Sequence, residues 1–220
     1  AQRHSNTRLT RRLARNWAFP GSRRYWESRY AAGGNSGCGS YGRLARFKAE
    51  VLNAFVSEHA VRSVLEFGCG DGNQLSLAHY PSYIGLDVSP SALRACSARF
   101  AGDRSKSFFL YRDDCFVDNA GVFRAELALS IDVLFHLIEE PVWVQHLGHL
   151  FDAATRYVCI YSSDRDHPAN AHERHRRFTI WAAQHRPQWK LSRHVPNRYP
   201  YDLRDPDNTS NAEFFLFERT

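Results

Sequence analysis

The run Val64-Leu65-Glu66-Phe67-Gly68-Cys69-Gly70-Asp71-Gly72-Asn73-Gln74 constrains the fold more than any other stretch of the chain. Its first part is apolar apart from Glu66 and reads as a buried strand. Gly68, Gly70 and Gly72 follow at alternate positions. They let the backbone turn tightly and approach a ligand that a Cβ would obstruct. A second short strand, Ser82-Tyr83-Ile84-Gly85-Leu86, ends on Asp87. Asp87 lies roughly 20 residues after the first glycine, the spacing at which an acid reaches a ribose hydroxyl in a Rossmann-type crevice.

The residues also select the nucleotide. A dinucleotide fingerprint needs G-x-G-x-x-G, and its third glycine would fall on Asn73. Glu66, at the end of the first strand, would repel a pyrophosphate. It suits S-adenosylmethionine (SAM), which carries an ammonium and a sulfonium and no phosphate. The run Glu66 to Gly72 resembles motif I of the class I SAM-dependent methyltransferases: an acidic residue, any residue, then G-x-G-x-G. Asp87 matches that family's second-strand acid. The resemblance implies SAM contacts from Glu66, Gly68, Gly70, Asp71, Asn73, Gln74, Asp87 and Val88. It also implies an acid after the third strand, Asp113 or Asp114, on the adenine amine, and a contact at Ser130.

At 220 residues and 43% hydrophobic content the chain is long enough for one domain with a full core. No run approaches the ~18 apolar residues of a transmembrane helix, so no membrane span is expected. The N-terminus has arginines but no apolar h-region, so no secretory signal is read. The five cysteines include no C-x-x-C. They read as reduced thiols of a cytoplasmic protein. The formal charge of +6 is compatible with nucleic acid, but also with solubility alone.

Residues 1 to about 24 are arginine-rich without an acid, and Arg8 to Trp17 reads as a short basic helix in a mobile arm. Tyr25-Trp26-Glu27-Ser28-Arg29-Tyr30 leads into the glycine-rich stretch Gly33 to Gly42. Aromatics bracketing glycines predict a lid over cofactor and acceptor. Residues 1–42 are therefore read as arm and lid, and 43–220 as the methyltransferase domain. Arg43 to Glu58 is an amphipathic helix with Leu44, Phe47, Val51, Leu52 and Phe55 on one face. Arg43 is assigned to the SAM carboxylate; Lys48 reads equally as a second contact or a solvated lysine.

Downstream, Ser89 caps a helix opened by Pro90 and running to about Phe100. Strands are predicted at Ser107–Tyr111, Ala125–Ile131 and Tyr157–Ser162, with helices at Pro141–Ala154 and His172–His185. Lys190–Val195 and Glu213–Phe217 form a closing hairpin across a long connection. The order implies an α/β, Rossmann-like class I methyltransferase fold: a seven-stranded mixed sheet with a C-terminal antiparallel hairpin and helices on both faces.

Methyl transfer to a neutral hydroxyl needs a base. His136 follows the fourth strand at the crevice, with Asp132 beside it, and both are candidates, as is His175. Asp132, His136, Glu139 and Glu140 are close in sequence, but a divalent metal is not expected. Several acceptor classes are set aside. Amino-methylating nucleic-acid enzymes of this fold carry Pro-Pro-aromatic after the fourth strand, where this chain has Ser130-Ile131-Asp132-Val133. The Pro-Cys of cytosine-C5 enzymes is absent too, and there is no room for the extra barrel of arginine methyltransferases.

The segments Gly33 to Gly37, Glu66 to Gln74, His175-Arg176-Arg177-Phe178-Thr179 and Pro196-Asn197-Arg198-Tyr199-Pro200 resemble a bacterial group of small methyltransferases associated with polysaccharide assembly, with a composition suited to an actinobacterium. That resemblance implies O-methylation of a small-molecule or oligosaccharide acceptor. Tyr30, Tyr41, Trp181, Arg176 and Tyr199 would contact it. An RNA methyltransferase and a non-enzymatic SAM-binding subunit are the competing readings; oligomeric state is not legible.

Overall fold

The computed structural model describes residues 19–167 and 172–220. The basic helix expected at Arg8–Trp17 lies outside the described residues. Every position of β1 (Val64–Phe67) is buried, as a strand covered on both faces must be. β1 pairs in parallel with β2 (Tyr83–Asp87) on one side and β4 (Ala125–Ile131) on the other. β3 (Lys106–Leu110) continues beyond β2, and β5 (Ala154–Ser162) beyond β4. β7 (Glu213–Arg219) runs antiparallel between β5 and β6 (Trp189–Val195). The order is β3-β2-β1-β4-β5-β7-β6, the expected mixed sheet with its C-terminal hairpin. The order of strand addition reverses between the parallel neighbours β1 and β4, where open α/β sheets bind their ligands.

Side-chain alternation sorts the sheet into two faces. Leu65, Phe67, Ala128, Val158 and Ile160 share one core with Leu147 and Phe151 of α4 (Glu140–Ala153) and Phe178 of α5 (Phe178–His185). Val64, Leu127, Leu129, Cys159 and Tyr161 share the other with Phe47, Leu52 and Phe55 of α2 (Gly42–Glu58) and Cys96 of α3 (Pro90–Arg99). Each large apolar side chain so buried contributes roughly 1.5–3 kcal/mol. The start of α3 is as read: Pro90 opens it, and the Ser89 hydroxyl accepts from Ala92 N at 3.0 Å.

Two elements differ from the sequence reading. The first part of the expected lid is a helix, α1 (Ser22–Ala31). It buries only Ser22 completely, so no apolar stripe announces it. Polar contacts hold it instead. Glu139 accepts from Ser22 N at 2.8 Å and from its hydroxyl at 2.5 Å, which caps α1 from outside. Glu27 in turn accepts from Ser89 Oγ, Ser91 N and Ser91 Oγ, and so caps α3. The second difference is α5, which starts at Phe178 rather than His172. Arg174 N donates to Phe135 O, and the Arg176 guanidinium donates to Leu137 O and Ile138 O. His167 and His175 form an isolated antiparallel bridge. These bonds to the loop after β4 take the place of helical ones.

Candidate active site

A cavity of about 890 Å³ opens at the carboxyl ends of β1, β2 and β4, and α1 forms its cover. Its floor is the glycine turn. Gly68 has φ +90° and Gly70 φ +58°, a region that L side chains rarely adopt. A Cβ on Gly68 would run into Val133 Cγ2, and one on Gly70 into Ser36 Oγ and the Tyr30 hydroxyl. Leu86 O accepts from both Gly68 N (2.7 Å) and Cys69 N (3.1 Å), which fixes the turn against β2.

Carboxyl groups dominate the wall. Asp87 is buried; its two oxygens accept from Gly70 N at 2.9 Å and Ser89 N at 2.8 Å. Burial outweighs these bonds and pushes its carboxyl up to about 6. Glu66, also buried, accepts from the Tyr83 hydroxyl at 2.6 Å, and desolvation pushes it up to about 7. Val88, Asp113 and Asp114 line the adjoining end. Of the two aspartates, Asp114 is ion-paired with Arg112 (3.1 Å) and Arg23 (3.5 Å). Asp113 makes no hydrogen bond or ion pair among the described residues. Gln74 lines the wall with its Nε2 on Ala45 O and its Oε1 buried without a partner.

At the β4 side stand Asp132 and His136, both on the wall. Asp132 has φ +58° and pairs with Lys48 Nζ at 2.5 Å. Lys48, read as a SAM contact or a solvated lysine, is instead completely buried. His136 ends the short turn Leu134–His136. Its Nδ1 stands 3.2 Å from the His172 carbonyl. A carbonyl only accepts, so Nδ1 bears the proton and Nε2 the lone pair. Desolvation holds this imidazole below its ordinary pKa of 6.5. Trp26 meets its ring edge-on, with centroids 5.0 Å apart, and Tyr30 also lines the cavity.

Other candidates stand off the wall. Asp71 braces the glycine turn to the cover, accepting from Ser36 N (3.1 Å), Tyr41 Oη (2.8 Å) and Asn73 N (3.0 Å). Burial alone would raise its carboxyl, but those donors hold it below the usual value. Asn73 adds a bond to Ser40 O. Tyr41 and Asn73 therefore join Asp71 as braces rather than as cavity lining. Ser130 lies beneath the floor, bonded to His146 Nε2 at 2.9 Å.

Five assignments need correction, at Arg43, Tyr199, Arg176, His175 and Trp181. Arg43 reaches away from the cavity, to Asn208 O (2.6 Å) and Asp205 (2.9 Å), with its guanidinium 4.6 Å over the Tyr199 ring. Arg43 thus anchors the start of α2 to the 205–209 loop, and Tyr199, packed on Phe47, lies under it rather than on the cavity wall. Arg176 is buried and spent on Leu137 O, Ile138 O and Glu140. His175 sits on Ser163 Oγ at 2.5 Å and stacks on Phe135, outside the wall. Trp181 packs on Trp143 and Phe151. In each case a partner distant in sequence claims the side chain. The sequence reading places Trp26 among the aromatics of the lid, but it gives no role to Glu27 or to the contact of Glu139 with Ser22, whose partners lie 62 and 117 residues away.

The acids that lie close to His136 in sequence are also engaged: Glu139 with Ser22, Glu140 with Arg174 and Arg176, Asp132 with Lys48. Among the described residues no group of three or more His, Cys, Asp or Glu is placed to hold a metal ion. No helix among them is long and apolar enough to cross a membrane.

Solved structures share the fold. The chain is similar to the N-methyltransferase NodS from Bradyrhizobium japonicum WM9, in complex with S-adenosyl-L-homocysteine (SAH), with a TM-score of 0.68 and 16% identity over 90% of this chain and 98% of that one. Magnesium protoporphyrin IX methyltransferase (ChlM) from Synechocystis PCC 6803 with bound SAH gives 0.64 and 14% over 90% and 98%. The fold is that of the class I methyltransferases. The methyltransferase domain of bacterial CtHen1-C matches at 0.59 and 19% over 78% and 96%. Neither a protein-family model nor a curated protein matches the chain.

Proposed function

We propose that the chain is a SAM-dependent O-methyltransferase acting on a hydroxyl of a sugar or oligosaccharide, in polysaccharide biosynthesis. The cavity fits the donor by its chemistry. The floor has no Cβ at Gly68 or Gly70, an acceptor oxygen is unpaired at Gln74, and the walls are carboxylates where the donor carries cations. Glu66, Asp87 and Asp113 would hold its ammonium, ribose and adenine ends.

The observation that carries the reaction class is His136, a neutral imidazole on the wall with its Nε2 lone pair uncommitted. When bound, SAM supplies the methyl carbon, its C–S bond breaking with the electron pair left on sulfur as the acceptor oxygen bonds to carbon. His136 Nε2 receives the hydroxyl proton, and the Asp132 carboxylate steadies the imidazolium formed. Trp26 and Tyr30 offer aromatic faces of the kind that stack on sugar rings. All five cysteines are free thiols, which supports a reducing compartment such as the cytoplasm.

The test is methyl transfer from labelled SAM to a panel of oligosaccharides and RNA, with and without EDTA. Label on a mannoside or glucoside, unaffected by EDTA, is expected. Label on RNA alone would overturn the sugar reading.

Two binding results follow from the acids. Asp87→Ala removes the acceptor for Gly70 N and Ser89 N together with the proposed ribose contact. Charged hydrogen bonds contribute ~1.5–3 kcal/mol, so calorimetry should show SAH binding weaker by roughly 10- to 100-fold. Unchanged affinity would remove Asp87 from the donor site. For Glu66, protonation is complete well below its midpoint of about 7, and only the carboxylate attracts a cation. SAM affinity should therefore rise with pH through about 7, with proton release on binding. A flat profile would separate Glu66 from the ligand.

A further inference from the structure

Asp132 is held more elaborately than a wall residue requires. It follows β4 in a left-handed conformation, φ +58°, which few non-glycine residues adopt and which aspartate tolerates better than most. Its N–H donates to Tyr161 O at 3.0 Å. Gly39 approaches so closely that a Cβ there would stand 3.0 Å from Asp132 Oδ2. On the other side Lys48 presses its Nζ to Oδ2 at 2.5 Å and lies 5.3 Å over the Tyr161 ring. Lys48 has no exposed side-chain surface and makes no other hydrogen bond or ion pair among the described residues. A buried ion pair is a weak source of stability, because desolvation offsets the attraction. A left-handed backbone, a close approach and a buried counter-ion converge on one carboxylate that faces the cavity and carries a field to His136.

We propose that Lys48 is a positioning residue for the methyl transfer: it fixes the Asp132 carboxylate on the cavity wall, where Asp132 steadies the imidazolium formed at His136. The inference rests on the functional reading above. The groups facing Asp132 are Lys48 from α2, Glu66 from β1, Tyr161 from β5 and His136 from the turn beyond β4. Glu66 repels the carboxylate when ionised, and Lys48 is the one cation among them that keeps it in place.

The experiment compares Lys48→Met, Lys48→Arg, Asp132→Asn and the double variant Lys48→Met/Asp132→Asn, in the full chain. With a glycoside acceptor, Lys48→Met should lower kcat by at least about tenfold while SAH affinity by calorimetry stays within about twofold. Lys48→Arg should restore most of the turnover. The double variant, which leaves no unpaired buried charge, should lose no more turnover than Asp132→Asn alone, since Lys48 acts through Asp132. In the ligand-free protein, the His136 ring followed by NMR should titrate at lower pH in Asp132→Asn, because the carboxylate is one of the groups that raise it. Additive losses in the double variant, a collapse of SAH affinity in Lys48→Met, or an unmoved His136 titration would overturn the assignment. A wild-type chain without methyl transfer sinks the functional reading as well; an active wild type matched by Lys48→Met sinks only the role of Lys48.

Discussion

Gly68→Ala should cost the chain about 2–4 kcal/mol of stability and most of its donor affinity. Two effects add. Gly68 sits at φ +90°, where an L side chain costs roughly 1–2 kcal/mol. The new methyl would also strike Val133 Cγ2, and overpacking a filled site costs typically ~1–3 kcal/mol. A domain with a stability of ~5–15 kcal/mol survives such a loss, so the variant should fold. Relief requires Val133 to shift into the cavity it lines or the turn to move off Leu86 O, and either change disturbs the donor site. A displacement of that kind is large for a site that must align reacting atoms. Thermal unfolding and SAH calorimetry check both parts. Gly102→Ala is the control, since nothing stands within 4 Å of a Cβ there; it should match wild type within about 0.5 kcal/mol. Wild-type affinity in Gly68→Ala would remove the glycine turn from the donor site.

His136→Ala should lower turnover by ~10²–10⁴-fold, the usual contribution of a positioned base, and leave SAH affinity nearly intact. The pH profile supplies a second reading. A base works only when neutral. Desolvation lowers the imidazole below 6.5, and the bond to the His172 carbonyl offsets this only in part. At saturating SAM, wild-type kcat should hold on acidification to below pH 6.5 before it falls. The variant should lose that acid limb along with the rate. Turnover that survives the substitution across pH would place the base elsewhere, with Asp132 the nearest alternative on the wall.

The sequence carried the sheet and the donor turn because their signals are local. Three glycines within five residues, an acid at the strand end and another at Asp87 are read within one strand–turn–strand unit. The cap at Ser89 and the stripe of α2 are equally short-range. What escaped depends on partners far along the chain. α1 has no apolar period, and its helix is stabilised by Glu139, 117 residues from Ser22. Arg176 looked like a binding group, yet carbonyls 38 and 39 residues away claim it. Lys48 meets Asp132 across 84 residues. Lys48 stands four residues from both Leu44 and Leu52, on the apolar face of α2, so its burial was legible in the period; its partner Asp132 was not.

The most direct test of the cavity as a methyl-donor site is calorimetric titration of the ligand-free chain with SAM at about pH 6 and about pH 8, either side of the Glu66 midpoint of about 7. One SAM per chain should bind, more tightly at the higher pH, and Asp87→Ala should lose most of that affinity. No binding in the wild type, or binding indifferent to both pH and Asp87, would contradict the assignment of this cavity to SAM.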